Sequence, residues 1–176
     1  MEKKYLMATF AVFVMAAFVI GVNINNSSPV ATAHEEVGIT GFPCIYLNDV
    51  LIECKENTVM TNGLNYVKTS LGVGTVNNIK DLALGNTTVP VVGDTALPGI
   101  WTTHGLAKAV GTYNSNGDGN WSIAYTWTAT AGPATVNTTG LYKTADAAGL
   151  FAGTSFTTTT LQVDDQLKCN YTLWVS

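Results

Sequence analysis

The clearest pattern in the chain is the strict alternation of apolar and polar side chains between residues 121 and 130. One parity carries Trp121, Ile123, Tyr125, Trp127 and Ala129, and the other carries mostly Thr with Ser and Ala. Successive side chains of a β-strand point to opposite faces of its sheet. This segment is therefore predicted to be a strand with one face on a core and a Thr-rich face in water.

Other strand-like segments recur at intervals of roughly ten residues, separated by Gly, Asn, Asp and Pro. Residues 44–60 and 114–130 are predicted to be hairpins. Further strands are predicted at 80–84, 101–113, 135–142, 150–162 and 167–175. Short strands at this spacing are typical of sandwiches and jelly rolls. The predicted fold is an all-β, β-sandwich or jelly-roll-like domain over residues 44–176.

One short helix interrupts the strand pattern. Residues 61–72 place Leu64, Val67 and Leu71 on one helical face, and Gly72 stands where the helix is expected to end.

A second local prediction concerns the end of the chain. A turn at residues 164–166 would pair Leu161 with Cys169 across a final hairpin.

The N-terminus has the layout of an exported protein. Charged residues 2–4 precede an apolar run of 18 residues, Tyr5–Val22, and an A-x-A sequence ends at Ala33. Residues 1–33 are therefore interpreted either as a cleaved signal peptide or as a retained N-terminal membrane anchor. Both readings place the bulk of the chain at the cell surface or outside the cell. Residues 34–43 are expected to be an extended segment before the sandwich.

The cysteines agree with an oxidising compartment. A three-residue loop at 48–50 would pair Leu47 with Leu51 and bring Cys44 opposite Cys54, within reach of a disulfide. Cys169 is left over on the apolar face of its strand and is expected to be a buried free thiol.

Glycosylation is the second chemical modification that the sequence predicts. The chain has six N-x-[ST] sequons, two of them at Asn25 and Asn26 near the leader. The four in the predicted domain are Asn86, Asn120, Asn137 and Asn170. Asn170 has the parity opposite to the apolar side chains of its strand, so it should face solvent, where a glycan must lie.

Charge excludes one class of partner. Charged residues make up only 11% of the chain, the net charge is −4, and all eight basic residues are Lys. Arg is the side chain best suited to phosphates and guanine. We therefore expect no nucleic-acid partner.

No residue set in the sequence points to catalysis or to a cofactor. The only histidines are His34 and His104, no G-x-S-x-G elbow is present, and the Cys spacing matches no zinc site. The acidic pair Asp164-Asp165 is explained by a turn. Residues 114–120 echo the start of a calcium loop, but Tyr125 stands where the loop needs Glu. We expect no enzymatic activity, no metal and no cofactor.

Trp174 is the residue predicted to mark a contact surface. Its parity is that of Lys168, Asn170 and Thr172, so it should point away from the core. An outward-facing Trp is typical of a contact with another subunit or with a glycan.

Several segments in order resemble known families. Small phage tail-associated proteins are resembled at two internal segments, residues 57–66 and 81–85. The closing part of the chain resembles the same proteins at Thr139–Tyr142, Leu150–Ala152, Ser155-Phe156, Asp165, Leu167 and Tyr171–Leu173. The central stretch Gly111–Thr130 is similar to small secreted archaeal surface proteins. The resemblance covers roughly residues 55–175. It implies a β-sandwich with an assembly or surface role and no catalytic residues.

Three functional hypotheses follow. The first is a structural subunit of an extracellular filament or surface coat, in which residues 34–43 add as a strand to an open sheet of the next identical subunit. The second is a cell-surface carbohydrate-binding or adhesion module that uses Trp174 and the loop at 114–120. The third is a virion or tail-associated structural protein. A membrane enters only through the N-terminal segment.

Overall fold

The computed structural model describes residues 38–73, 78–143 and 148–175. The predicted leader, residues 1–33, lies outside this part of the chain. The described elements are β1 (Ile39–Leu47), β2 (Val50–Cys54), β3 (Thr58–Val59), α1 (Thr61–Val73), β4 (Ile79–Gly85), β5 (Ala109–Val110), β6 (Thr112–Gly117), β7 (Asn120–Thr128), β8 (Ala134–Lys143), β9 (Leu150–Leu161) and β10 (Gln166–Val175).

The strands form two antiparallel sheets of five strands each. Sheet A has the order β2-β1-β10-β7-β6, and sheet B has the order β3-β9-β8-β4-β5. The chain passes from one sheet to the other after β2, β5, β7 and β9. The predicted all-β class with one short helix is confirmed.

The main core lies between the two sheets. It is built from the inward-facing residues of both, among them Ile45, Ile123, Trp127, Leu167, Tyr171 and Leu173 from sheet A and Leu82, Leu84, Leu141, Phe151 and Leu161 from sheet B. Trp127 is 1% exposed, and its indole N–H donates to the carbonyl of Ala107 at 2.8 Å. The predicted inward face of the alternating segment is thereby confirmed.

A smaller core covers the other face of sheet B. Its buried members are Met60, Ala83, Leu97, Tyr142 and Leu150. The loop that follows β4 lies over them: the Leu97 N–H donates to the Tyr142 hydroxyl at 2.5 Å, and the Leu150 N–H donates to Thr95 O at 3.1 Å. Burial raises the pKa of Tyr142. The loop therefore acts as a third layer of the fold.

Helix α1 forms where it was predicted but buries a different face. Leu64 and Leu71 are 56% and 83% exposed, so of the expected face of Leu64, Val67 and Leu71 only Val67 packs against the core. The side that packs inward carries Gly63, Tyr66 and Val67. The reason is the close approach at Gly63, where an added Cβ would collide with the carbonyl oxygen of Phe151.

The β1–β2 hairpin has a shorter turn than expected. Leu47 pairs with Val50, not with Leu51, across a two-residue turn whose residues Asn48 and Asp49 have φ of 48° and 64°. A β-bulge follows between Ile45 and Tyr46. Because the bulge adds one residue to β2, the pairing of Cys44 with Cys54 is restored.

The predicted final hairpin does not form. β9 belongs to sheet B and β10 to sheet A, so Leu161 does not pair with Cys169. Leu161 pairs with Ala134, and Cys169 pairs with Tyr125. The apolar faces of β9 and β10 meet through the core because the chain crosses between the sheets at this turn.

The sandwich begins earlier than residue 44. β1 starts at Ile39, and Ile39–Pro43 pair with β10 from Val175 to Tyr171. Five residues of the segment expected to precede the domain are extended, as predicted, but they are part of sheet A. On the side of β1 away from β10, the Asn57 N–H donates a main-chain hydrogen bond to Gly41 O at 3.0 Å.

Candidate functional site

The histidine in the described part of the chain is a turn residue. His104 has a left-handed φ of 59°, its Nδ1 lies 2.8 Å from Thr103 Oγ1, and its carbonyl accepts from the Thr130 N–H at 2.9 Å. Its ring meets that of Trp101 edge-on at 5.1 Å. These contacts shape the turn, and the strand predicted at 101–113 is reduced to β5 and the start of β6.

The acidic pair Asp164-Asp165 also serves a turn, as predicted. Asp164 has φ of 71°. The Asp165 carboxylate accepts from the Asn48 amide at 2.9 Å and from the Gln162 N–H at 2.7 Å. These two bonds, the first in particular, hold the pKa of Asp165 below its ordinary value.

The 114–120 segment holds a two-residue hairpin turn, since residues 114–117 belong to β6 and Asn120 begins β7. The turn residues Asp118 and Gly119 connect β6 to β7, Gly119 has φ of 66°, and Asn116 Nδ2 donates to Asn120 Oδ1 at 3.4 Å. Within residues 38–73, 78–143 and 148–175, no group of three or more His, Cys, Asp or Glu side chains could hold a metal ion.

The predicted disulfide is present. Cys44 and Cys54 are joined with an S–S distance of 2.03 Å and a Cα–Cα distance of 4.0 Å. Cys44 is opposite Asn170 in the β1–β10 register, so the bridge lies on the side of sheet A that faces away from the core. A disulfide fits an oxidising environment.

Cys169 is the buried free thiol that its parity predicted. The Thr139 hydroxyl lies within hydrogen-bond distance of its sulfur, at 3.7 Å, and of the carbonyl oxygen of Ala83, at 3.1 Å, and can donate its single hydrogen to either. Burial raises the pKa of Cys169 to about 12. The thiol is therefore a packing group and not a nucleophile.

The four domain sequons differ in accessibility. Asn86 is exposed in the loop over sheet B, while Asn120 and Asn170 are half-buried. Asn137 is also half-buried, and in addition its Oδ1 is buried and its Nδ2 donates to Thr87 O at 3.0 Å. Glycosylation stays a prediction, and these positions make Asn86, Asn120 and Asn170 better acceptors than Asn137.

Trp174 lies on the outer face of sheet A, the side opposite the core. It is half-buried because its ring stacks on Phe42, with 5.2 Å between centroids and 10° between planes. Farther along the same face, Lys168 Nζ lies 5.7 Å from the centroid of the Tyr46 ring. The sequence analysis missed these two aromatic side chains of β1, Phe42 and Tyr46. Both have the parity opposite to that of the apolar Ile45, which could have placed them on the outer face.

The two edges of sheet A are open in the part of the chain that the structure describes. β2 and β6 each pair with one neighbour. All six residues of β6 are exposed, and in β2 the side chains of Val50 and Leu51 are 69% and 52% exposed. Unpaired N–H and C=O groups at such an edge are the chemical complement of another β-strand.

Sheet B is better protected at its edges. Its β9 strand meets the side chain of Glu53, whose Oε2 accepts from the Thr157 N–H at 2.7 Å and from the Thr157 hydroxyl at 2.8 Å. β4 is bordered by β5, and the Trp101 and Gly111 N–H groups donate to the carbonyls of Leu84 and Lys80. Sheet A therefore carries the more available edges.

An apolar groove of about 360 Å³ lies beside β6. Its lining includes the rings of Tyr66, Tyr113 and Trp121 together with Ile79, Lys80 and Ile123. The groove was missed by sequence reasoning because its walls come from α1, β4, β6 and β7. Tyr113 pairs with the buried Ile123 and is itself 58% exposed.

A partly buried ion pair was also missed. Lys108 Nζ lies 3.9 Å from Asp81 Oδ2 and 4.8 Å from the centroid of the Tyr142 ring. Both charged groups lie at the border of the smaller core, where Asp81 is 5% exposed. The pair connects β4 to the segment before β5, so its role is structural.

Comparison of the chain with protein-family models, with curated proteins and with solved structures finds no match. None of the helices in residues 38–73, 78–143 and 148–175 is both long and apolar enough to span a bilayer.

Proposed function

We propose that this protein is an exported structural protein, a subunit of an extracellular filament or surface coat that assembles with identical subunits by β-strand addition. The observation that carries the proposal is the open edge of sheet A at β6, where six consecutive residues are exposed. Edge strands are usually guarded by charged residues or Pro. β6 contains neither.

The chemistry of the described polar groups supports a structural role. His104, the Asp164-Asp165 pair and the Asp81–Lys108 pair all have contacts that hold turns or strands together. The disulfide fits an oxidising compartment, and the apolar N-terminal run agrees with export.

The expected donor strand is partly occupied within its own subunit. Residues 34–43 were the expected donor, but Ile39–Pro43 are already paired with β10 in the same chain. Donating all ten residues would first break that pairing. An edge strand that is already exposed needs no such rearrangement.

The proposal is tested on material released from native cells by intact-mass measurement and electron microscopy. Filaments or ordered layers of a glycosylated species that begins near His34 are expected. A membrane-held, unassembled species that retains residues 1–22 would overturn the assembly role.

A carbohydrate-binding module is the second candidate. It is favoured by the stacked rings of Phe42 and Trp174 on the outer face of sheet A, since aromatic pairs at a surface form rigid contact areas. This function predicts binding to a glycan panel that is lost in Trp174→Ala and kept in Val89→Ala. A wild-type protein that binds no member of the panel would exclude it.

A further inference from the structure

We infer that β2 of one subunit pairs with β6 of the next, so that sheet A continues from subunit to subunit in a head-to-tail chain. This inference rests on the assembly role proposed above and names the two surfaces that meet. Each subunit has one β2 edge and one β6 edge in the described part of the chain. A contact between two different surfaces that does not close into a ring produces a filament.

The two strands are similar in length and contain no Pro, and each has a β-bulge toward one end. β2 has five residues and β6 has six. The one charged residue of β2 is Glu53, and its carboxylate is turned toward Thr157 of β9 in the same subunit. β6 is in regular register with β7 from Thr112 to Ser115, so its outer side offers a regular row of main-chain groups.

Val50 of β2 and Tyr113 of β6 lie on the same side of sheet A, whereas Leu51, opposite Tyr46, lies on the other side. Val50 is opposite Leu47, which packs against the main core. Tyr113 is opposite Ile123, which is buried in that core. Directly opposed residues share a face of the sheet. Pairing of β2 with β6 would therefore place Val50 against Tyr113, on the side where the apolar groove opens.

The groove supplies the space that such a contact needs. It is open, measures about 360 Å³ and is bordered by Tyr113 and Trp121. Val50 is 69% exposed in the isolated subunit and would lose that exposure in the groove. Charge agrees with this orientation, because Asp49 precedes Val50 at the exposed turn and Lys80 borders the groove.

The first test uses the full chain with a lysine placed at either edge. Val50→Lys and Tyr113→Lys are each expected to raise the protein concentration needed for assembly at least about tenfold, because an ammonium group would be buried in an apolar contact. Val89→Lys is the matched control: Val89 is 56% exposed but lies in the loop over sheet B. Sedimentation velocity gives the assembly state, and circular dichroism checks the fold.

The second test does not depend on how well the lysine variants fold. Full-length Val50→Cys and Tyr113→Cys proteins are mixed and oxidised, and cross-linked species are separated without reductant. Head-to-tail pairing predicts a disulfide in the mixture and little in either variant alone. Cross-linking within one variant alone, or none in a mixture that assembles, overturns the inference.

The outcomes separate the inference from the function on which it rests. Wild-type assembly that persists in both lysine variants contradicts the β2–β6 contact and leaves the assembly role intact. A wild-type protein that stays monomeric at every concentration contradicts both. Assembly lost in both edge variants and kept in Val89→Lys supports both.

Discussion

The side-chain amide of Asn48 donates to the carboxylate of Asp165 at 2.9 Å and so joins two turns that are 117 residues apart. Two further bonds complete the link: the Asn48 N–H donates to Gln166 O at 2.9 Å, and the Gln166 N–H donates to Asn48 Oδ1 at 2.8 Å. The β1–β2 hairpin is thereby fastened to the point where the chain crosses from sheet B to sheet A.

Asn48→Gly removes the two side-chain bonds of this link but keeps the main-chain bond to Gln166 O and the left-handed turn conformation that glycine tolerates. We expect the variant to unfold at a lower urea concentration than the wild type and the pKa of Asp165 to rise toward its ordinary value. Urea unfolding and an NMR titration measure these quantities. Asp49→Gly, at the neighbouring left-handed position, is the control for glycine alone. Equal effects of the two variants would contradict the proposed link.

The pH dependence of stability should reflect two carboxylates. The Thr157 N–H and hydroxyl lower the pKa of Glu53, and Asn48 and Gln162 lower that of Asp165. A carboxylate with a lowered folded pKa stabilises the protein above its unfolded pKa, and this contribution is lost as the pH falls through the folded pKa. With ordinary values of 4.5 and 3.8, stability should decline as the pH falls below about 4.5.

The measurement for this pH effect is the unfolding temperature of the wild type and of the Glu53→Gln/Asp165→Asn double variant between about pH 7 and pH 3. The double variant should show a shallower decline in the acidic range. An unchanged slope would mean that these two carboxylates are not the source.

Loss of the disulfide should destabilise the protein because the unfolded chain gains conformational entropy when the cross-link is absent. Cys44 and Cys54 are separated by 10 residues, and closing a loop of this length corresponds to about 2–3 kcal/mol in the chain-entropy relation. The Cys44→Ser/Cys54→Ser variant should show this decrease in urea unfolding. Wild-type protein treated with reductant should lose the same amount, which separates the missing bond from the effect of the serine side chains.

Two glycines of α1 should respond in opposite ways to alanine. Gly63→Ala would push its methyl group into the carbonyl oxygen of Phe151, so we expect a loss of at least about 1 kcal/mol. At Gly72 nothing lies within 4 Å of an added Cβ, so Gly72→Ala should be neutral or stabilising by up to about 1 kcal/mol. Thermal unfolding compares the two variants, and a stabilised Gly63→Ala protein would contradict the packing of α1.

The thiol of Cys169 should be unreactive in the folded protein. It is fully buried, and burial raises its pKa to about 12, so almost no thiolate exists at neutral pH. Iodoacetamide at pH 8 should leave the native chain unmodified and add one group per chain in denaturant, as read by intact mass. Rapid labelling under native conditions would show that β10 opens readily.

Features that depend on near neighbours in the sequence were predictable. The strand at 121–130, the helix at 61–72 and the turn at 114–120 follow from side-chain periodicity and from the backbone preferences of Gly, Asn and Asp. The Cys44–Cys54 bond was predicted because both cysteines flank one turn. The turn itself was one residue shorter than expected, and a bulge, for which the sequence has no clear pattern, restored the pairing.

Features that depend on distant contacts were decided by the tertiary structure. The buried face of α1 is set by the carbonyl of Phe151, and the groove is assembled from α1, β4, β6 and β7. The turn after β9 has the residues of a hairpin, yet it joins two sheets. Periodicity indicates which side of a strand or helix is apolar. It does not indicate which other element packs on that side, because several elements could cover it. By itself the sequence determined most of the strands, the helix and the disulfide, whereas packing between distant segments decided which surfaces stay open.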